Sequence, residues 1–163
     1  MASSMYNVAG KTKGYIASAS VNSGAPSLIT AAGTGDAAAV TGYTIDRKGT
    51  DVGSLAQSCE LSIGYLAALT NTKTLSFTVA YQESADASTW DTAVTLQAAT
   101  VAKTATSTTN FEGVVNLVLA LNSLKRYIRF NITPDLNNTA TDTAEFVAIA
   151  TLGGFACSED AVG

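Results

Sequence analysis

The side chains that enzymes use most often for catalysis are scarce in this chain. Its 163 residues include no histidine, which removes Ser-His-Asp and Cys-His nucleophile arrangements, histidine-ligated metals and the commonest general base. The glycine-rich sequences that bind nucleotide phosphates, Gly-x-Gly-x-x-Gly and Gly-x-x-x-x-Gly-Lys-Ser/Thr, are also missing. We therefore expect a protein that is not an enzyme and that uses no cofactor.

Carboxylates are the remaining candidates for acid–base or metal chemistry. Glu83, Asp86 and Asp91 lie in the segment Glu-Ser-Ala-Asp-Ala-Ser-Thr-Trp-Asp. Two carboxylates held near each other can hydrolyse a glycosidic bond, and oxygen ligands of this kind also bind Ca²⁺. We favour a third interpretation, a turn between strands, because Asp and Ser side chains bond to their own backbone in turns.

Trp90, the only tryptophan, lies within this segment, directly before Asp91. An exposed tryptophan beside polar groups is suited to stacking on a sugar, whereas a tryptophan at the end of a sandwich packs at the core or its rim. We favour packing at the core or its rim.

Lys125, Arg126 and Arg129 form the densest basic cluster of the chain. Such a cluster is typical either of a contact with an acidic partner, where electrostatics fixes the register of binding, or of pairing with carboxylates of the same chain. The second arrangement is the commoner one.

Cys59 and Cys157 match no Cys-x-x-Cys or zinc-binding spacing. We expect both to be reduced and buried as small hydrophobic residues. The alternative is a disulfide formed after release from the cell.

The composition favours a protein whose surface is partly covered by another molecule. Charged residues make up 13% of the chain and hydrophobic residues 47%, whereas soluble domains typically carry about 25% charged residues. The net charge is −4 and no run of Lys or Arg occurs, which disfavours nucleic-acid binding. Neither a secretory signal nor a stretch of about 20 apolar residues is evident. We expect a soluble protein made in the cytoplasm, without membrane association.

Period-2 alternation of apolar and polar residues predicts five strands. The apolar positions of four of them are Leu75, Phe77, Val79 and Tyr81; Leu61, Ile63 and Tyr65; Val115, Leu117, Leu119 and Leu121; and Ile128, Phe130 and Ile132. The fifth segment, 146–150, is apolar on both faces, which predicts a central strand covered on both sides.

Four weaker strands are predicted at 15–21, 27–30, 40–47 and 93–99, and no helix. Loops are expected at 1–14, 22–39 and 98–110, the last as an exposed loop or a loose hairpin, and short turns at the Ala-rich pairs near 37–39 and 67–68. This spacing indicates an all-β sandwich or barrel. We divide the chain into an N-terminal arm, 1–14, and one β-sandwich domain, 15–163.

Several segments resemble small tailed-phage virion proteins that are encoded near the major capsid protein. The resemblance covers about residues 40 to 133 and rests on the strand Gly-Tyr-Thr-Ile-Asp-Arg from Gly42, the strand Cys-Glu-Leu-Ser-Ile-Gly from Cys59, the strand and turn from Leu75 to Trp90, and Lys-Arg-Tyr-Ile-Arg from Lys125. It implies a β-sandwich or jelly-roll protein that decorates a capsid surface as a cement subunit. The resemblance also implies the major capsid protein as its partner and a homotrimer as a possible oligomeric state.

Candidate contact residues for such a role are the basic residues of the arm and of the cluster, together with the tryptophan: Lys11, Lys13, Lys125, Arg126, Arg129 and Trp90. The alternative function is a carbohydrate-binding or host-recognition module of a virion, with Trp90 at the binding site. An enzyme that uses a carboxylate pair ranks third.

Overall fold

The computed structural model describes residues 12–18, 28–48, 55–138 and 141–155. Within these ranges the regular elements are ten β-strands. In chain order they are β1 (Lys13–Ile16), β2 (Ile29–Thr30), β3 (Val40–Thr41), β4 (Ile45–Asp46), β5 (Ser58–Leu69), β6 (Thr74–Ser84), β7 (Val94–Thr104), β8 (Thr109–Ala120), β9 (Tyr127–Leu136) and β10 (Thr143–Gly153). No helix in the described ranges has the length and apolar character that crossing a membrane requires.

The strands form two antiparallel sheets that pack face to face. The first sheet has the order β1-β10-β5-β8, with β2 also pairing with β10. The second has the order β3-β9-β6-β7, with β4 also pairing with β9. From β5 to β10, the connection between β6 and β7 joins two strands of the same sheet. Each of the other four connections passes from one sheet to the other. This connectivity is that of a jelly roll, and the predicted all-β, jelly-roll-like sandwich is confirmed.

The core lies between the inward faces of the two sheets. Phe77 of β6 packs between Tyr65 of β5 and Phe146 of β10, with ring centroids 6.0 Å and 5.6 Å away. Cys59 is buried in the same core with a free thiol, as predicted, while Cys157 lies outside the described residues. All five strongly predicted strands are present. The predicted apolar positions of the four alternating ones point inward, because successive side chains of a strand alternate between its faces.

The weaker predictions are confirmed in type and inaccurate in extent. Segment 15–21 corresponds to β1, which begins two residues earlier and ends at Ile16, and segment 27–30 corresponds to β2. Segment 40–47 is divided into β3 and β4. Of the expected arm, Lys13 and Gly14 belong to β1, and residues 1–11 lie outside the described residues.

Three local predictions are wrong. The expected loop 98–110 is the second half of β7, a turn at 105–108 and the start of β8, and it is no hairpin because β7 and β8 belong to different sheets. Its small polar residues reflect the position of β7 at a sheet edge, exposed over most of its length. The expected turn at Ala67 and Ala68 is the end of β5, where pairing with β8 and β10 overrides local preference.

The third wrong prediction concerns β10, which was expected to be covered on both sides. Phe146, Ala148 and Ala150 are buried, but Val147 is 48% exposed and Ile149 is 46% exposed. No described residue packs over the outer side of this strand. A strand that is apolar on both faces normally lies in a sheet with both faces covered, so this side of β10 differs from what its sequence predicts.

Candidate functional site

Most of the predicted contact residues gather at one end of the sandwich. The connections from β6 to β7 and from β8 to β9 meet there, next to the chain that follows β4. We call this region the charged end and define it by residues 46–48, 83–91 and 121–129. The antiparallel pairing of β6 with β9, which places Ser84 opposite Tyr127, brings the two connections together.

The acidic segment of the charged end is a backbone-bonding turn. One carboxylate oxygen of Asp86 accepts hydrogen bonds from the backbone amides of Ser88 (2.9 Å) and Thr89 (2.8 Å) and from the hydroxyl of Ser84 (2.9 Å). These bonds favour the ionised form and hold the pKa of the Asp86 carboxyl well below its usual range. Ala87 takes up a left-handed conformation with φ of 64°. The carboxylate of Asp86 is therefore used by the turn itself.

Lys125 donates hydrogen bonds to the other two carboxylates of this segment. Its ammonium donates to both oxygens of Asp91, at 2.8 Å and 2.6 Å, and its backbone amide donates to Glu83 at 2.5 Å. The bond to Asp91 raises the pKa of Lys125. In the part of the chain that the structure describes, no group of three acidic or sulfur ligands is placed to hold a metal ion. The arrangement therefore resembles an ion-pair network more than a catalytic pair or a Ca²⁺ site.

Arg126 forms a second ion pair at the charged end. Its guanidinium donates to the two carboxylate oxygens of Asp46 at 3.0 Å and 2.7 Å, which lowers the pKa of Asp46. Lys13 of β1 adds to this lowering through its charge, and its ammonium lies 5.4 Å from the ring centroid of Tyr15. Lys11, the other basic residue proposed for the arm, lies outside the described residues.

Arg129 lies over one face of Trp90. The guanidinium carbon is 4.2 Å from the indole ring, and the guanidinium also donates to the side-chain oxygen of Gln82 at 3.0 Å. Trp90 is half-buried. An aromatic platform for a sugar needs an open ring face, and here the guanidinium takes one of the two faces.

Arg47 organises the charged end, although nothing except the resemblance singled it out in the sequence. Its side chain is only 1% exposed and donates to the backbone carbonyls of Ala56 at 2.7 Å, Lys125 at 2.9 Å and Leu124. Burial lowers its pKa. The three carbonyls belong to the residues before β5 and to the β8–β9 connection, so Arg47 fixes the backbone that presents Lys125 and Arg126.

A second candidate site, which the sequence interpretation missed, is the outer face of the first sheet. Alternation along β1, β10, β5 and β8 directs one set of residues away from the core. Six of the ten large hydrophobic side chains that are most exposed among the described residues lie on this face: Ile16 (63%), Leu66 (50%), Val114 (63%), Val118 (73%), Val147 (48%) and Ile149 (46%). The strand register places Ile16 beside Ile149 and places Gly64 between Val147 and Val114.

The charges on this outer face have a single sign. Glu112 of β8 and Glu145 of β10 flank Leu66 on its two sides, and Glu60 of β5 lies between Thr151 and Val118. The outward positions of the described strands β1, β10, β5 and β8 include no Lys or Arg. The face therefore combines exposed aliphatic side chains with three glutamates and with neutral polar residues such as Ser62 and Asn116.

A shallow groove of about 290 Å³ runs across this face at Gly64. It is lined by Gly64, Tyr65, Leu66, Glu145, Phe146 and Val147. A Cβ atom at position 64 would meet nothing nearer than the Val147 side chain at 3.8 Å, so packing within the sheet does not require glycine there. The missing side chain opens the groove.

The outer face of the second sheet has the opposite character. Its central strands present Gln82, Arg129 and Asn131, and the Gln82 oxygen accepts from Arg129 at 3.0 Å and from Asn131 at 3.1 Å. Thr78, Thr133 and Asp135 lie on the same side. This surface suits contact with water, whereas the first sheet presents a large apolar area that is covered by no described residue.

The signal for this surface was present in the sequence. The both-sided apolar run 146–150 and the apolar residues Val114 and Val118 between the inward positions of β8 depart from apolar-polar alternation. The first pattern is typical of a covered central strand, and it is also produced by a sheet face that another molecule covers.

Comparisons with known proteins give a match in strand arrangement only. No family model matches the chain, and no curated protein matches its sequence. Solved structures that match include the T13 particle of infectious bursal disease virus (TM-score 0.48, 12% identity), derived T=1 particles of a mutant VP2 protein of that virus (0.49, 14%) and a VP2 subviral particle (0.46, 10%). Each match covers 88% of this chain and about a third, 32% or 33%, of the viral chain. At this level of similarity neither a family nor a function follows from the match.

Proposed function

We propose that this chain is a structural, non-enzymatic subunit of a virion, a decoration or cement protein that binds the assembled capsid and bridges subunits of the major capsid protein. The single observation that carries the proposal is the outer face of the first sheet, which exposes six large aliphatic side chains beside three glutamates and is left uncovered by the described residues. The sequence resemblance to small tailed-phage virion proteins supports the choice of a capsid as the binding partner.

The size of the face suits this role. The three long strands β10, β5 and β8, of 11, 12 and 12 residues, and the four-residue β1 are spaced about 4.8 Å apart and present roughly 600 Å² in projection. This area is close to the roughly 800 Å² that each partner contributes to a standard interface. A subunit that binds several neighbours at once gains further affinity through effective concentration. Since such a subunit binds the assembled lattice better than separate capsid subunits, it stabilises the shell by mass action.

The residues proposed earlier as contacts have a different place in this proposal. Lys125 and Arg126 are paired with Asp91 and Asp46, so we assign them to holding the charged end in shape. Lys11 and Lys13 remain candidates for a contact made by the N-terminal arm. The alternative function, glycan binding at Trp90, is disfavoured because Arg129 lies on one face of the indole.

Cosedimentation with capsids of the virus that encodes the chain tests the proposed function. We expect saturable binding with a fixed number of copies per particle, and capsids that resist heating better when the protein is bound. Absence of association at micromolar protein would sink the proposal. Quenching of Trp90 fluorescence by host polysaccharide, with no binding to capsids, would favour the glycan-binding alternative instead.

The role of the arm is tested by a deletion that leaves β1 intact. Removing residues 2–11 spares Lys13–Ile16, which pairs with β10. We expect weaker binding to capsids with an unchanged melting temperature. If capsid binding is the same for the deletion variant and the full chain, the arm makes no contact with the shell.

A further inference from the structure

The residue types on the outer face of the first sheet restrict what can cover it. The candidates are a second copy of the chain, the chain's own terminal residues and another protein. The apolar area indicates that the occupant contributes apolar side chains. The presence of Glu60, Glu112 and Glu145 on this face, with no Lys or Arg on the described outward positions, distinguishes the alternatives further.

A second copy is a poor occupant. In a two-fold contact the same patch lies on both partners, so both sides would bring the same three glutamates into the interface. Like charges brought together at an interface are strongly unfavourable, and the described part of this face offers no basic residue to compensate them. The charge pattern therefore favours an occupant of opposite sign.

Gly64 defines where the occupant comes closest. Glycine is unfavourable in the interior of a strand and commonly marks a position where another backbone or ligand approaches closely. Gly64 lies in the middle of β5, paired on both sides with Val147 and Val114. Because a Cβ atom would fit there without conflict inside the sheet, the open groove serves something outside it.

The position of the glutamates relative to the groove sets the chemistry on each side. Leu66, which lines the groove, has Glu145 on one neighbouring strand and Glu112 on the other. A side chain seated at Gly64 would therefore have two carboxylates on its Leu66 side, one on each neighbouring strand. None of these glutamate side chains has an ion-pair partner among the described residues.

We infer that the Gly64 groove receives one large apolar side chain from a segment of the shell protein that carries Lys or Arg on either side of that residue. This inference rests on the proposed function and names the chemistry of its binding surface. The groove supplies apolar contact, and Glu112 and Glu145 pair with the basic residues and fix the register of the segment. Binding of this kind weakens as the salt concentration rises.

The first test measures binding to capsids with matched variants. Gly64→Val fills the groove, and Ala98→Val makes a comparable addition at an exposed position of β7. Glu112→Lys reverses a charge on the face, and Asp135→Lys makes the same change on the exposed outer side of β9. We expect Gly64→Val and Glu112→Lys to weaken cosedimentation by about tenfold or more and the two controls to bind like the unmodified chain. Capsid binding that is unchanged in both face variants would overturn the inference and leave the proposed function standing.

The second test does not depend on capsids. The ¹⁵N-labelled full chain is titrated with a short acetylated peptide that has leucine between two lysines, and with a control peptide that has leucine between two glutamates. We expect the lysine peptide alone to shift the amide signals of Gly64, Leu66 and Val147, and expect Gly64→Val to abolish these shifts. If the chain fails to bind capsids while the lysine peptide binds at Gly64, the proposed function fails and the inferred surface chemistry stands.

Other occupants give different results in these experiments. Concentration-dependent dimerisation that Gly64→Val abolishes would show that a second copy covers the face. Peptide shifts that appear only after residues 2–11 are removed would show that the chain's own N-terminal segment covers it. Equal shifts with both peptides would show that charge does not select the occupant. Each of these three results overturns the inference.

Discussion

Gly42, Gly64 and Gly113 show how differently one residue type is used within a single sandwich. A Cβ atom at position 42 would overlap the backbone carbonyl of Ala17 and would lie 2.9 Å from that of Phe130. At position 113 it would overlap the Tyr65 ring and hydroxyl, which donates across to β7 at the Ala102 carbonyl, 3.1 Å away. At position 64 it would meet only ordinary contacts. The first two glycines permit close packing at the sides of the sandwich, and the third opens its surface.

These environments predict a ranked effect of alanine substitution on the free energy of unfolding. Gly42→Ala should cost most, about 3 kcal/mol or more, because backbone must move; Gly113→Ala should cost about 1–3 kcal/mol, because Tyr65 must give way. Gly64→Ala should be neutral or stabilising by up to about 1 kcal/mol, since alanine loses less conformational entropy in a strand than glycine. Urea denaturation of the three variants measures the order, and a cost at position 64 equal to that at 113 would contradict it.

Arg47 is the residue on which the charged end most depends. A buried arginine that donates to backbone carbonyls costs free energy to desolvate, and removing it leaves those carbonyls without partners. We expect Arg47→Met to lower the free energy of unfolding by about 1–3 kcal/mol. The matched control is Arg126→Met, which removes an exposed ion pair with Asp46 and a contact with the Tyr127 ring and should change stability much less. Equal losses in the two variants, measured by urea denaturation, would count against this role of Arg47.

At the scale of single elements, the acidic side chains of the turn from Ser84 to Asp91 make hydrogen bonds and an ion pair within the protein. Ser84 and Asp86 satisfy backbone amides of the turn, and the amide of Asp91 donates to the Glu83 carbonyl at 3.0 Å. The carboxylates therefore hold the β6–β7 connection in one shape. Lys125 then ties this connection to the β8–β9 connection.

The lowered pKa of Asp86 predicts how the stability of this turn depends on pH. The unfolded carboxyl titrates near the ordinary value of 3.8 and the folded one below it, so the stabilisation is complete above that pH and declines as the pH falls below it. Asp86→Ala should therefore lower the melting temperature at pH 7 and lower it progressively less from about pH 4 down to pH 2. Melting curves between pH 7 and pH 2 measure this, and a difference that stays constant or widens on acidification would contradict the assignment.

At the scale of the whole molecule, the two outer faces of the sandwich differ in polarity. Hydrogen-bonded polar side chains cover the centre of the second sheet, whereas exposed aliphatic side chains cover the first. The core between them is closed, with Cys59 only 1% exposed. One side of the molecule is thus suited to water and the other to a protein partner.

Cys59 provides a test of how closed the core is. Burial raises the pKa of its thiol from 9.0 to about 12, so the folded protein should hold it protonated and unreactive at neutral pH. In a Cys157→Ser variant, which leaves one thiol, we expect labelling by a thiol reagent at pH 8 only at the rate of unfolding. The raised folded pKa also predicts that stability falls as the pH rises from about 9 toward 12, because the unfolded thiol ionises first. Rapid native-state labelling would show that this part of the core opens locally.

The five strands with strong alternation were predictable because burying one face of a sheet imposes a period of two on the sequence, as in Leu61, Ile63 and Tyr65. β7 was only half predicted, since an edge strand with few core contacts needs few large apolar residues. Of the candidate site, the basic cluster and the acidic turn were found by residue type. Pairing of the basic cluster with carboxylates of the same chain was the favoured interpretation, and Lys125 and Arg126 confirm it. Which carboxylates they bind was not predictable, because Lys125 and Asp91 are neighbours only through the pairing of β6 with β9.

The sequence by itself determined the all-β class, the inward residues of the main strands and the lack of histidine-based chemistry, since these depend on residue type and on local period. Tertiary structure alone decided the strand order of the jelly roll, the neutralisation of Lys125 and Arg126 by distant carboxylates, and the gathering of Ile16, Leu66, Val114 and Val147 on one uncovered face. The physical reason is that hydrogen-bonded pairing brings together strands that are far apart along the chain, and no local pattern records which strands become neighbours.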